Sequence, residues 1–379
     1  MATLEQGTDY SEFKSLFRGG FRPVANLNTI IHDEDEMMLF ATSVHNDRHR
    51  AAQVYFTQGF EMLNLVRQII EWRFGSMENV RTFLDFACGY GRFTRHLASA
   101  LPAERIWVSD IYADGVAFLI AQFGVNGIVS TADPEDYVCD QRFDCIYVAS
   151  LFSHLPADRF DRWLRKLFNL LTPDGILVFS VNDEAILADG FTMPEEGILF
   201  IPQSESRSLD KNEYGSTWVA ERYMRRIIGN LCGKPENACR LPRGLLNYQD
   251  LYLLPAGKTP LPALQIDTGF QGNVELCTLS GPNTLELSGW AVNSSPDDRS
   301  CSVQVWIDGK PVQRCVPRRE RPDVAQHFKR PEFLLCGWNC SLTWSGNPEE
   351  WIVITVHGDS PVDHVIEAGS VHYLLGPRA

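Results

Sequence analysis

The residues best suited to hold a ligand form a turn between a short apolar segment and a helical one. The segment Phe83–Arg92 reads FLDFACGYGR. Gly89 and Gly91 permit positive φ angles and let a ligand approach the backbone closely. Dinucleotide-binding folds seat pyrophosphate on such a turn. The spacing here is not G-x-G-x-x-G, and Asp85 at the strand end would repel a pyrophosphate. A ligand with a cationic group fits better.

A second acidic residue closes the next apolar segment. Asp110 directly follows Arg105–Ser109. A carboxylate at that point accepts hydrogen bonds from both hydroxyls of a ribose. The turn and Asp110 together indicate a ribose-bearing ligand with a cationic end rather than a phosphate. Taken alone, Asp110 is equally well explained as a helix N-cap.

An α/β sheet is needed to bring these residues together, and the sequence pattern predicts one. Apolar segments alternate with helical ones, which indicates a parallel sheet with helices on both faces. Helical spacing over residues 32–74 predicts a helical cap that ends at Gly75. The predicted strands are 82–87, 105–109, 126–130, 143–149, 176–181 and 249–254, with a helix over 156–171 and a turn over 172–175.

Residues 50–255 resemble the class I S-adenosylmethionine-dependent methyltransferases. The resemblance rests on four motifs in the family's order: Asp85–Gly91, Asp110, Phe143–Leu155 and Leu170–Val178. It implies a Rossmann-like core of seven strands, with S-adenosylmethionine as methyl donor, S-adenosylhomocysteine as product and no metal. Ala87 stands where the family usually carries glycine, so we expect a slightly tighter turn that still binds the cofactor.

The resemblance also implies which residues contact the methionine end of the cofactor. Ala149 and Ser150, just after the fourth strand, would face the methionine portion and the transferred methyl. The turn would wrap the methionine moiety with Asp85, Ala87, Cys88, Gly89 and Gly91.

For the adenosine end, the resemblance implies that Asp110 holds the ribose and that Ile111 lies against the adenine. Ala132 and Asp133 would lie near the adenine edge; a plain loop is the alternative for both. Upstream, Tyr55 resembles a lid residue that touches the cofactor's carboxylate. A core aromatic residue is the alternative reading of Tyr55.

Methyl transfer from a sulfonium is an in-line displacement, so holding the nucleophile in position is the main requirement. A hydroxyl acceptor gains a further ~10²–10⁴-fold from a positioned base. His154 follows the fourth strand at the edge where open α/β sheets bind ligands. Glu205, Glu213 and Tyr214 lie in the irregular stretch after the fifth strand. The alternatives are a capping histidine and a solvated loop.

Beyond Leu264 the pattern changes to period-two alternation, which predicts an all-β sandwich. Segments 289–292, 303–309, 321–324 and 336–338 resemble a sandwich appended to bacterial enzymes of surface-polysaccharide assembly. That resemblance implies a glycan-related acceptor. Tryptophans here offer stacking faces for a sugar or else fill the core. Basic residues cluster in the same region and form either a binding site for an acidic glycan or a solvated loop. They are Arg314, Arg318, Arg319, Arg321, Lys329 and Arg330.

Composition limits the partners. A formal net charge of −14 disfavours binding to nucleic acid or anionic lipid. The sequence has neither a long uncharged apolar stretch nor a signal-peptide pattern, so we expect a soluble, cytoplasmic protein without a membrane span. No C-x-x-C pair or zinc spacing occurs, so we expect no metal. The oligomeric state stays open, with a homo-oligomer among the alternatives.

The resulting prediction has three parts: a helical cap over 1–75, a methyltransferase domain over 76–258 with an acceptor-side insertion at 182–248, and a β-sandwich over 266–379. The predicted function is methyl transfer to oxygen or nitrogen of a small-molecule or glycan-related acceptor. One alternative is a catalytically weak scaffold whose sandwich binds glycan or protein. An NAD(P)-dependent oxidoreductase is a second, which the missing G-x-G-x-x-G turn disfavours.

Overall fold

A computed structural model describes most of the chain, which divides into two compact units. One contains His32–Phe40 and Leu65–Leu264, and the other contains Gly7–Ile31, Ala41–Asn64 and Gln265–Ala379. The three-part division predicted from the sequence stays a prediction. The described residues are 7–17, 27–203, 206, 209–233, 236, 238–257, 264, 266, 270–281, 283–293, 302–346, 352–359 and 370–375.

The N-terminal part contains two short strands and two helices where the sequence predicted one helical segment. Asp47 separates the helices, because its carboxylate accepts hydrogen bonds from the N–H groups of His49 and Arg50 at 2.8 and 3.0 Å. The second helix ends before Gly75, as predicted, where φ is +81°. The elements are β1 (Gly7–Asp9), β2 (Ile30–His32), α1 (Glu36–His45) and α2 (Arg48–Phe74).

Strands and helices then alternate, as predicted. The parallel strands are almost continuously apolar because both faces of the sheet are covered. The helix over Ala157–Asn169 buries Phe160, Trp163, Leu164 and Leu167 in the core that it shares with the sheet. The elements are β3 (Phe83–Phe86), α3 (Thr94–Ala100), β4 (Ile106–Asp110), α4 (Ala113–Phe123), β5 (Asn126–Val129), β6 (Phe143–Val148), α5 (Ala157–Asn169), β7 (Leu171–Asp183), β8 (Ile198–Ile201), β9 (Ser216–Val219), α6 (Glu221–Cys232), β10 (Cys239–Leu245) and β11 (Gln249–Pro255).

The strand order creates a ligand crevice. Seven strands follow the order β10-β11-β7-β6-β3-β4-β5, and β8 and β9 extend the sheet beside β7. Strands β3 to β7 are parallel, and β11 is antiparallel to β7. This confirms the predicted Rossmann-like α/β core, and β8 and β9 are two strands beyond the seven of that order. The order reverses between β3 and β6, and open α/β sheets bind ligands beyond the carboxyl ends of the strands at such a reversal.

The turn predicted over residues 172–175 is a bulge inside β7. Phe143 pairs with Leu171, whereas Cys145 pairs with Ile176, so four residues of β7 lie opposite one residue of β6. Gly175 is needed in this bulge, because a Cβ there would lie 2.8 Å from the Phe143 carbonyl oxygen. The sequence pattern of a turn and of a bulge is the same, and only the pairing with β6 distinguishes them.

The C-terminal β-sheet region is present, as predicted. Its two antiparallel sheets have the orders β12-β13-β16 and β15-β14-β17-β18. They share one core, in which Leu287 of the first sheet packs with Val305 and Ile354 of the second. A short helix, which the sequence analysis did not predict, interrupts the strands. The elements are β12 (Phe270–Gly281), β13 (Thr284–Asn293), β14 (Ser302–Ile307), β15 (Lys310–Cys315), α7 (Pro322–Phe328), β16 (Gly337–Thr343), β17 (Ile352–Asp359) and β18 (Ser370–Leu375).

The proposed glycan-contacting residues of the sandwich are mostly engaged within the protein. Trp338 and Trp344 are buried in the shared core, in agreement with the core-filling alternative. Arg321 pairs with Glu275 and Asp323 at 2.8 and 2.6 Å. These contacts leave the basic cluster less cationic than its sequence indicates. Trp351, also considered as a stacking residue, lies outside the described residues.

In the ranges described above, no helix is long and apolar enough to cross a membrane. The same ranges contain no group of three or more histidine, cysteine, aspartate or glutamate side chains arranged to hold a metal ion.

Candidate active site

The turn after β3 is tied to the end of β4. The N–H groups of Ala87 and Cys88 donate to the Ser109 carbonyl at 2.8 and 3.3 Å. Ala87, Gly89 and Gly91 all adopt left-handed conformations, with φ of +58°, +53° and +88°. Such a conformation costs an alanine ~1–2 kcal/mol. Ala87 is therefore a strained residue, where glycine would be unstrained.

The two glycines of this turn have different roles. A Cβ on Gly91 would lie 2.3 Å from the Leu119 Cδ2 atom, so packing against α4 requires glycine there. A Cβ on Gly89 would meet nothing within 4 Å. The backbone at Gly89 therefore borders open space, as a turn that receives a ligand must.

Asp110 fastens the turn from the end of β4. Its Oδ2 accepts from the Gly89 N–H at 2.7 Å, and its Oδ1 accepts from the Tyr112 N–H at 3.0 Å. Burial raises the pKa of this carboxyl, and the backbone N–H groups oppose the rise. A carboxylate offers about four acceptor positions, so Asp110 keeps acceptor capacity for a ligand hydroxyl. Tyr112, not Asp110, is the N-cap residue of α4, and the side chain of Ile111 is exposed beside it.

Asp85 lies buried on β3, beside the turn. The Thr94 hydroxyl donates to its Oδ2 at 2.6 Å. The pKa of Asp85 is raised to about 7. Burial is the main cause, and the Asp110 charge adds to it, whereas the Thr94 bond acts in the opposite direction. Because burial disfavours the charged form, a cation brought close would favour ionisation of Asp85.

Aromatic side chains that the sequence analysis missed surround this end of the sheet. His32 stacks on Tyr90, with ring centroids 4.4 Å apart, and the Tyr90 hydroxyl donates to Asp114 at 2.8 Å. The Tyr112 hydroxyl donates to the Glu36 carboxylate at 3.2 Å. Tyr90 and Tyr112 adjoin the motif residues in sequence. No local pattern marks His32 or Glu36, since both come from the distant N-terminal part.

The predicted adenine-edge residues are fixed to α5. Arg162 donates to the Asp133 carboxylate, and the Glu135 N–H donates to the same carboxylate at 2.9 Å. That backbone bond and then Arg162 lower the pKa of Asp133. Arg159 donates to the Ala132 carbonyl. These bonds account for the position of the loop, and the adenine contact stays a prediction.

Ala149 and Ser150 lie beyond β6, the strand next to β3, where Phe86 pairs with Val148. Ser150 is left-handed, with φ of +61°. Its N–H donates to the Ser180 hydroxyl at 2.8 Å, and its own hydroxyl donates to Gln249 at 3.0 Å. A second left-handed turn therefore follows β6, the strand beside β3, and lies at the same edge of the sheet as the glycine turn.

His154 and Tyr214, two separate candidates from the sequence, lie together, and Glu213 is held elsewhere. The His154 ring stacks on Tyr214 at 4.4 Å, and its Nδ1 bonds the Gly215 carbonyl at 2.7 Å. A carbonyl can only accept, so the neutral ring carries its proton on Nδ1 and Nε2 is the basic nitrogen. Glu213 pairs with Arg159 at 3.0 Å and is half exposed.

The roles of two further residues in this site stay predictions. Tyr55 is buried on α2, in the other compact unit, and its ring meets that of Phe56 edge-on. Its role as a lid residue stays a prediction. Glu205 lies outside the described residues.

Comparison with known proteins identifies the middle of the chain. Residues 83–175, from β3 into β7, match the family model described as a methyltransferase domain. The chain therefore contains a methyltransferase domain, which confirms the recognition of an S-adenosylmethionine-dependent methyltransferase from the sequence. This segment includes Asp85, the glycine turn, Asp110 and Ser150.

Solved structures overlap the chain more loosely. One is the N-methyltransferase NodS from Bradyrhizobium japonicum WM9, bound to S-adenosylhomocysteine, which is 16% identical in sequence. The overlap covers 52% of this chain and 87% of NodS, with a TM-score of 0.33. The 1,6-didemethyltoxoflavin-N1-methyltransferase of Burkholderia thailandensis is 16% identical, covering 57% and 86%, with a TM-score of 0.36. Neither overlap is close enough to indicate an acceptor. No curated protein matches the sequence.

Proposed function

We propose that this chain, with its methyltransferase domain, transfers a methyl group from S-adenosylmethionine to an oxygen or nitrogen of a small-molecule acceptor, in which His154 acts as base. The observation that carries the proposal is the left-handed turn over Ala87–Gly91, which the Asp110 carboxylate holds at the point where the strand order reverses. The backbone of the glycine turn and the Asp110 carboxylate lie side by side there, and a ribose-bearing ligand is bound by such a pair.

The residues around the crevice fit this cofactor. The open space at Gly89 receives a ligand against the backbone, and the Asp110 carboxylate accepts from the ribose. Exposed Ile111 offers an apolar face to the adenine. When bound, the cofactor supplies a methyl group on a positively charged sulfur. The remaining contacts come from Asp85, Ala87, Cys88, Gly91, Ala132, Asp133, Ala149 and Ser150.

His154 supplies proton transfer in this proposal. It lies beyond the carboxyl end of β6, and the Gly215 carbonyl fixes the proton on Nδ1. The basic Nε2 is then the atom that accepts the proton of an acceptor hydroxyl or amine. Stacking on Tyr214 keeps the ring plane fixed. Tyr214 therefore orients the base, whereas Glu213 is held in an ion pair with Arg159.

The narrower acceptor class in this proposal is a glycan-related molecule, and its support is the sequence resemblance of the C-terminal sandwich. Transfer of a labelled methyl group from S-adenosylmethionine to panels of saccharides, phenols and amines tests it. We expect label in saccharides. Label confined to phenols or amines would contradict the glycan class and leave methyl transfer itself intact.

Calorimetry with S-adenosylhomocysteine tests the cofactor site. Asp110→Ala should weaken binding ~100-fold or more, because two ribose hydroxyls lose a charged acceptor and the Gly89 N–H loses its partner. Asp144→Ala is the matched control. Asp144 also accepts backbone N–H bonds, from Arg81 and Thr82 at 2.8 and 3.3 Å, but at the amino end of β6. Wild-type affinity in Asp110→Ala, or an equal loss in the control, would contradict the proposed site.

A further inference from the structure

A buried amide lies behind the Ser150 turn. Gln249 is the first residue of β11, and its side chain is buried. Its Oε1 atom accepts two hydroxyl donors, from Ser150 at 3.0 Å and from Ser180 at 2.7 Å. Since β11 is antiparallel to β7, its first residue lies at the carboxyl edge of β7, the edge that carries the crevice.

The Ser150 turn depends on these bonds. A left-handed non-glycine residue persists only where its surroundings fix it. Three bonds fix Ser150: its N–H donates to the Ser180 hydroxyl at 2.8 Å, its hydroxyl donates to Gln249, and its carbonyl accepts from Ser153 at 2.7 Å. Ser180 in turn donates to Gln249, so the amide oxygen supports two of the three.

The other end of the amide reaches the acceptor side. Gln249 Nε2 donates to Asn182 Oδ1 at 3.0 Å, and Asn182 Nδ2 donates to the Thr217 carbonyl at 3.1 Å. Thr217 bonds both neighbours of His154: its N–H donates to the Ser153 carbonyl at 2.7 Å and its hydroxyl to the Leu155 carbonyl at 2.6 Å. One chain of hydrogen bonds therefore links the Ser150 turn to the segment that carries the candidate base.

We propose that Gln249 is a positioning residue for the methyl donor, which holds the Ser150 turn against the cofactor through its Oε1 atom. This inference rests on the proposed function. Gln249 itself touches no reacting atom. It acts by fixing a turn whose backbone borders the crevice, and it is fixed in turn by Asn182.

Calorimetric titration with S-adenosylhomocysteine, with thermal unfolding alongside, tests the inference. Gln249→Leu removes both halves of the amide, and we expect about tenfold weaker binding, the upper range for one lost hydrogen-bond acceptor. Gln249→Glu keeps an oxygen that accepts both serine hydroxyls but loses the Nε2 donor to Asn182, so its affinity should lie between those of Gln249→Leu and the wild type. Rescue by glutamate is a result that loss of packing alone would not give.

Asn126→Leu is the matched control. Like Gln249, Asn126 makes two hydrogen bonds through one atom of its side-chain amide. Its Nδ2 donates to the carbonyls of Glu104 and Ile106 at 3.1 Å each, at the amino end of β5. Its melting temperature should fall, while its affinity stays within about twofold of wild type. A second test uses Ser150→Ala, which removes the other end of the bond. It should weaken binding no more than Gln249→Leu does, because Ser180 keeps its bond to the amide, and the double variant should lose nothing beyond Gln249→Leu.

Wild-type affinity in Gln249→Leu, equal losses in the leucine and glutamate variants, or additive losses in the double variant would each overturn the inference. Absence of binding to the wild-type protein would instead contradict the proposed function. The two failures are therefore distinguishable in one set of titrations.

Discussion

Cofactor affinity should depend on the protonation of Asp85. Burial raises the pKa of this carboxyl from 3.8 to about 7, although the Thr94 hydroxyl donates to it at 2.6 Å. In the free protein, Asp85 is therefore about half protonated at neutral pH. The cationic amino group expected beside it favours the ionised form, so binding at neutral pH should release about half a proton per molecule.

The same shift affects the stability of the free protein. The folded state binds this proton more tightly than the unfolded chain does, so the free energy of unfolding falls as the pH rises from about 4 to about 7. A shift of about three pKa units corresponds to roughly 4 kcal/mol. Above about pH 7 the contribution is constant. Asp85→Asn should remove this part of the pH dependence, which denaturant unfolding at several pH values measures.

The binding assay is calorimetry with S-adenosylhomocysteine between pH 6 and pH 8. A group with a pKa of about 7 in the free protein and far lower in the complex makes binding about tenfold weaker at pH 6 than at pH 8. Asp85→Asn is the control, because asparagine keeps an oxygen for the Thr94 hydroxyl without titrating. Its affinity should not vary over this range. Equal pH dependence in both proteins, or none in the wild type, would refute the argument.

Two further predictions concern the base and the strained turn. His154→Asn keeps an N–H donor for the Gly215 carbonyl but removes the basic Nε2, so labelled methyl transfer should fall ~10²–10⁴-fold with cofactor affinity unchanged. Transfer at the wild-type rate would restrict His154 to holding the Gly215 turn. Ala87→Gly relieves a left-handed alanine and should raise the free energy of unfolding by about 1 kcal/mol in denaturant titration. A loss of stability would show that Ala87 is not strained.

The sequence predicted those parts of the site that depend on local pattern. Short segments of the sequence predicted strand β3, the glycine turn after it and Asp110 at the end of β4. In each of these segments the pattern of residue types indicates a single structure. A parallel sheet follows once strands and helices alternate, because parallel strands need crossover connections, but the strand order does not follow from that pattern. The same local reasoning failed at residues 172–175, where only pairing with β6 decides between a turn and a bulge.

What the sequence did not reveal depends on contacts between distant segments. Gln249 on β11 meets Ser150 across 99 residues of the chain, and Gly215 fixes the proton on His154 across 61 residues. Asp85 was expected to act as a plain carboxylate, yet its burial beside Thr94 raises its pKa to about 7. Burial is a property of the assembled fold, so no spacing of residue types predicts it.

The central claim is that the turn over Ala87–Gly91 and the carboxylate of Asp110 hold the two ends of one adenosyl ligand. A crystal structure of the complex with S-adenosylhomocysteine tests this most directly. We predict both ribose hydroxyls on Asp110 and the methionine portion in the turn, between Asp85 and Ser150. A ligand bound elsewhere, or a crevice left empty at saturating S-adenosylhomocysteine, would contradict the claim.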